Sequence, residues 1–105
     1  MIRHFVMLRF RADVSDDTKL ALFDALDGLR GHIEGVLDFR AVANVSVETD
    51  LIRGNHDAFW FDFTDTAARD AYLIDPEHQA VGGRLVEHTV DGVEGVTVFD
   101  MELPD

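Results

Sequence analysis

From Asp57 to Phe63 the chain reads D-A-F-W-F-D-F, with a phenylalanine at every second position from Phe59. That alternation suits extended backbone, because successive side chains of a strand point to opposite faces of a sheet. It predicts a strand over His56–Phe63, with Phe59, Phe61 and Phe63 on one face and His56, Ala58, Trp60 and Asp62 on the other. Such a strand needs neighbouring strands and a second layer over its aromatic side.

Ile2 to Arg11 supplies one neighbour. Ile2, His4, Val6, Leu8 and Phe10 alternate with Arg3, Phe5, Met7, Arg9 and Arg11, so both faces are partly apolar, as expected of a central strand. Ser15 is placed to cap a helix whose apolar stripe is Leu22, Phe23, Leu26, Leu29 and Ile33, with Gly31 as its left-handed end. Val36 to Val47 predicts a further strand, nearer an edge. After the Gly54-Asn55 turn and the His56–Phe63 strand, Thr64 or Asp65 caps a short helix through Ala67, Ala68, Ala71 and Tyr72. Pro76 forces Asp75 out of helical geometry and restarts the chain as a helix that Asp75 caps and that the Gly82-Gly83 doublet weakens. Gly92 and Gly95 lead into a last strand, Val96 to Leu103.

Strand, helix, strand, strand, helices, strand is the order of a ferredoxin-like α+β fold, a four-stranded antiparallel sheet with helices on one face. The 105 residues make one domain, 1–105. Two apolar sheet faces are expected. Phe5, Met7, Phe59, Phe61, Phe63, Phe99 and Met101 form one; Val6, Leu8, Trp60, Val96 and Val98 form the other. Helices cover only one of them, and leaving buriable aromatics in water forgoes roughly 1.5–3 kcal/mol each. The phenylalanine face therefore predicts a homodimer made sheet to sheet.

Composition narrows the function. A net charge of −12 repels phosphate backbones and anionic membranes. No apolar run reaches the roughly 20 residues of a membrane span, and no apolar leader precedes the first strand, so a cytoplasmic protein is expected. There is no cysteine nucleophile, and neither Ser15 nor Ser46 sits in a G-x-S-x-G elbow. Phosphate-binding and dinucleotide-binding glycine loops are absent, as are H-E-x-x-H and calcium-loop patterns, so no cofactor or dedicated metal site is expected. Five histidines remain. His4 and His56 fall on the face of Val6, Leu8 and Trp60, whereas His32 and His88 lie near helix ends. Tyr72 and His78 flank the Asp75-Pro76 break, where a phenol and an imidazole can perform acid/base work, His78 as base and Tyr72 as proton donor. Residues alone leave a catalytic pocket and an ordinary core equally open.

The segments R-H-F-V-M-L-R-F-R, H-D-A-F-W-F-D-F, A-Y-L-I-D-P-E-H and V-T-V-F-D together resemble the stress-responsive A/B barrel (Dabb) family and its olivetolic acid cyclase-like members. The Y-x-x-x-P-x-H portion is the most specific. The resemblance implies a dimeric α+β barrel whose histidine face turns toward the helices, a point that periodicity alone leaves undecided. It further implies a pocket for a small apolar or aromatic molecule, with Tyr72 and His78 in the places of a catalytic pair. His4 and His56 match pocket histidines, and Val6, Leu8, Phe23, Leu26 and Ala58 match apolar lining. Trp60 and Gly82-Gly83 depart from the cyclase pattern, so substrate and pocket size do not carry over. Two functions stay open: a cofactor-independent enzyme of cyclase or isomerase type, and a stress-protective ligand-binding module.

Overall fold

A computed structural model describes residues 1–104. The elements are β1 (Ile2–Leu8), α1 (Asp16–Asp27), β2 (Val36–Ala43), β3 (Asp57–Phe63), α2 (Thr66–Ile74), α3 (Pro76–Val86) and β4 (Val96–Glu102), with single 3-10 turns at Gly28–Gly31 and Gly92–Gly95. The strands form one antiparallel sheet in the order β2-β3-β1-β4, so β1 and β3 are central.

Local chemistry sets the boundaries. Ser15 Oγ accepts from the Thr18 amide at 3.1 Å, and Asp16 and Asp17 occupy the positive first turn of α1. The end of α1 differs from expectation. The helix tightens into a 3-10 turn, and the left-handed residue is Gly35 (φ 89°) rather than Gly31. A Cβ at Gly35 would stand 2.6 Å from the Ala68 Cβ, so close approach of α2 adds to the demand for glycine there. Asp65 caps α2 through the Ala68 amide at 2.9 Å. Asp75 is extended (φ −68°, ψ 128°), as a residue before proline must be, and its Oδ1 accepts from the Glu77 and His78 amides at 2.9 and 3.1 Å. α3 then runs unbroken across Gly82 and Gly83.

Strand register decides which residues meet the helices. Ile2 stands opposite Phe63, His4 opposite Phe61 and Val6 opposite Phe59. Residues directly opposite share a face. Phe59, Phe61 and Phe63 therefore lie under the helices, each no more than 3% exposed, together with Leu22, Leu26, Tyr72 and Leu85. The expected faces are thus correct for β1 and β4 and inverted for β3. Phe59, Phe61 and Phe63 are core, not an outward interface. Ala58 and Trp60 turn to the open face beside Phe5 and Met7, away from the helices. His56 precedes the strand and is exposed, so it joins no interior pocket. The physical reason is that alternation fixes parity within a strand, while only pairing fixes it between strands. Here the pairing is marked by Arg3, whose Nε and Nη2 donate to the two Asp62 carboxylate oxygens at 2.9 and 3.1 Å, and whose guanidinium lies 4.8 Å over the Trp60 ring.

Phe5, Met7, Phe99 and Met101 occupy the open face as expected, with Phe99 63% exposed and Trp60 stacked on Phe5 at 6.2 Å. Among the described residues no helix is long and apolar enough to cross a membrane.

Candidate functional site

The Asp75-Pro76 break folds the start of α3 back over the end of α2. His78 comes to lie on Tyr72, ring centroids 3.8 Å apart and planes inclined by 30°. Tyr72 is fully buried and also meets Phe61 at 4.8 Å, Phe63 at 5.2 Å and the edge of His4 at 5.6 Å. Around this aromatic cluster, two polar atoms have no hydrogen-bond partner: Tyr72 Oη and His78 Nδ1. An unsatisfied buried polar atom costs about 1–3 kcal/mol, so a pair of them in one stacked couple is a costly arrangement for a purely structural core.

Their electrostatics are complementary. Burial pushes the Tyr72 phenol far above its usual range, keeping it a hydroxyl donor. His78 is pushed below its ordinary value, first by burial and then by the neighbouring His4, against opposing pulls from the Tyr72 backbone, Asp75 and the Leu73 backbone. The imidazole is therefore neutral near pH 7.

A third group is tied in from the sheet. His4, 6% exposed on β1, shares a hydrogen bond between its Nδ1 and Asp100 Oδ1 at 2.6 Å. Asp100 faces it directly across the β1–β4 ladder. The second Asp100 oxygen accepts from Arg69 Nη1 of α2 at 2.8 Å, and Arg69 Nε donates to Asp70 at 2.8 Å. Sequence reading passed over Asp100 and Arg69. The available signal was an acid in phase with Val96 and Val98 on the helix-side face of β4.

Of the other expected pocket residues, Val6, Leu8 and Leu26 are buried on the helix side, and Phe23 packs edge-on against Phe59 at 6.5 Å. Val96 and Val98 share that side of β4, although Val98 is exposed at the sheet edge. His4, Tyr72 and His78 come together; His56, Ala58 and Trp60 do not join them. Among the described residues, no three His, Asp or Glu side chains are gathered closely enough to hold a metal ion. A cleft of about 550 Å³ does open between α1 and β2, over Phe23 and Phe39 and rimmed by Asp24, Asp27, Arg30 and Asp38. Phe39 and Phe61, 4.8 Å apart, stand between it and Tyr72.

The family model described as Stress responsive A/B Barrel Domain matches residues 2–103. No curated protein matches the sequence at a significant level. Among solved structures, a dimeric ferredoxin-like protein of unknown function from Jannaschia sp. CCS1 is 34% identical, with 97% of this chain and 98% of that one covered at a TM-score of 0.86. A protein of Arabidopsis thaliana shares 22% identity over 100% of this chain and 97% of that one, TM-score 0.87. A hydroxynitrile lyase from Passiflora edulis has the same fold at 12% identity, over 99% and 94% of the two chains, TM-score 0.82.

Proposed function

The chain belongs to the stress-responsive A/B barrel family, and from that premise we propose that its Tyr72–His78 joint is a small-molecule site for cofactor-independent acid/base chemistry of cyclase, lyase or isomerase type. His78 takes a proton from the bound molecule and returns it to the product, while the Tyr72 hydroxyl keeps its proton and donates a hydrogen bond to the oxygen on which negative charge develops. The observation that carries this reading is the stacked pair with Tyr72 Oη and His78 Nδ1 both buried and unpartnered. A neutral imidazole beside a protonated phenol is the state such a reaction needs at its start. The hydroxynitrile lyase neighbour supports the fold's capacity for carbon–carbon cleavage. The working unit is a homodimer closed over the open face of Phe5, Met7, Phe99 and Met101, now with Trp60; the dimeric Jannaschia relative and the exposure of Phe99 support it.

The complete burial of Tyr72 favours a second reading, a non-catalytic ligand-binding module. One experiment separates the two. Racemic mandelonitrile is offered to the wild type, Tyr72→Phe and His78→Ala proteins, with benzaldehyde release followed by absorbance and His78 ring signals by NMR. Catalysis predicts turnover that falls on the order of 10²-fold in each variant while both remain folded. Saturable shifts at His78 without turnover favour the binding module. Neither turnover nor shifts, with mandelonitrile or with acetylacetone as a second probe, would remove the site.

A further inference from the structure

Three side chains from three elements form one line: Arg69 on α2, Asp100 on β4 and His4 on β1. We propose that Asp100, held by Arg69, is a positioning residue that fixes His4 in the Nδ1–H tautomer, making His4 Nε2 a second proton acceptor of the Tyr72–His78 site. The proposal rests on the reading of that joint as the site, and adds two residues and a division of labour to it.

An ionised carboxylate only accepts hydrogen bonds, so the proton in the 2.6 Å contact belongs to His4 Nδ1. Nε2 then keeps its lone pair, and it has no hydrogen-bond partner among the described residues. The same logic governs a histidine oriented by a buried carboxylate in acyl-transfer enzymes, where the acid sets the tautomer and stabilises the imidazolium without taking the proton. In the transfer envisaged, the X–H bond of the bound molecule breaks, an Nε2–H bond forms on His4, and the resulting cation sits against Asp100. The proton returns by the reverse path to the product. His78 lacks such a carboxylate on its ring, since Asp75 spends Oδ1 on backbone amides and Oδ2 on His32 at 2.8 Å. The two imidazoles thus differ in kind: one neutral in an apolar stack, one built to carry charge.

A merely structural role fits less well. Arg69 and Asp100 would join α2 to the sheet edge without His4, and an exposed ion pair of that sort contributes little. His4 instead occupies an otherwise apolar row, Ile2, Val6 and Leu8, where an isoleucine would pack at lower cost.

The test needs no ligand. Long-range proton–nitrogen correlation NMR on the uniformly labelled full chain reads the tautomer of each histidine. His4 is expected as Nδ1–H in the wild type. In Asp100→Asn, the amide can donate to Nδ1, and the signal moves to Nε2–H; Asp100→Glu restores Nδ1–H, while His88, whose Nδ1 is held by the Arg84 carbonyl at 2.8 Å, is unchanged throughout as an internal control. An Nε2–H His4 in the wild type, or an unaltered His4 in Asp100→Asn, overturns the proposal. With mandelonitrile as probe, Asp100→Asn should lower kcat on the order of 10²-fold with KM nearly unchanged; full retained turnover likewise overturns it. A tautomer that moves as expected in a protein without turnover would instead indict the catalytic reading and leave the positioning pair standing.

Discussion

The two faces of the sheet are built from similar residues and have different tasks. Under the helices, Phe59, Phe61 and Phe63 pack ring to ring with Phe39 and Tyr72 at 4.8–6.2 Å. On the open side, Phe5, Trp60 and Phe99 are interleaved with the Arg3–Asp62 pair and are only partly covered. One face is aromatic with polar groups gathered at two places, His4 with Tyr72 and His78 at one and the Lys19–Asp57 ion pair at the other. The other is aromatic with its charges spread along the strands. The contrast teaches that hydrophobicity does not tell a covered face from an open one, and that unpartnered buried polar atoms occur on both, Trp60 Nε1 on the open side and Tyr72 Oη under the helices. Arg3 and Asp62 satisfy each other in place, whereas the Tyr72 hydroxyl does not find a protein partner.

The contrast can be broken most directly by truncation. Phe61→Ala should cost about 3–5 kcal/mol in chemical denaturation, whereas Phe99→Ala should cost the isolated subunit under about 1 kcal/mol because its ring is largely in solvent. Equal losses would mean the faces are not distinct. A charge on the open face sharpens it next: Phe99→Asp should weaken self-association by roughly 10²-fold, read by sedimentation. Trp60 is the only tryptophan, so its emission should shift to the red as the wild type is diluted through dissociation and show no concentration dependence in that variant. Tyr72→Phe runs the opposite way, deleting an unpartnered hydroxyl; it should stabilise the fold by up to about 1 kcal/mol while abolishing ligand shifts at His78. The smallest effect is in pH. Because the folded His78 resists protonation, the unfolded chain binds the extra proton as pH falls through about 6.5 and below, and stability drops in that window. His78→Gln should flatten the drop between pH 7 and 5 in thermal melts.

Much of this was legible from residue order. Ser15, Asp65 and the Asp75-Pro76 joint announce their caps because each solves a local problem, an orphan amide or a proline ring, that needs no knowledge of distant contacts. The Tyr72–His78 meeting follows from the same joint. The parity of β3 was not legible, since nothing within D-A-F-W-F-D-F says which neighbour Phe59 faces. One cue existed: setting Arg3 against Asp62 as an opposite-charge pair places Trp60 with Phe5 and sends the phenylalanines to the helices. Asp100 escaped notice because a lone acid on an edge strand reads as solvated until its partner across the ladder is known.

Gly82 and Gly83 sit in mid-helix, each costing about 1 kcal/mol of helix propensity relative to alanine. A side chain at Gly83 would meet nothing within 4 Å, and one at Gly82 would meet only the His78 Nε2, at 3.9 Å. Packing therefore does not compel either glycine. Their consequence is a span of α3 that unwinds more readily than its surroundings, directly beside the His78 imidazole. Amide deuteration should reach Leu85, Val86 and Glu87 well before the equivalent turn of α1, and a Gly83→Ala protein should close that difference. A guest bound for the sealed phenol would find its way in through this loosened turn.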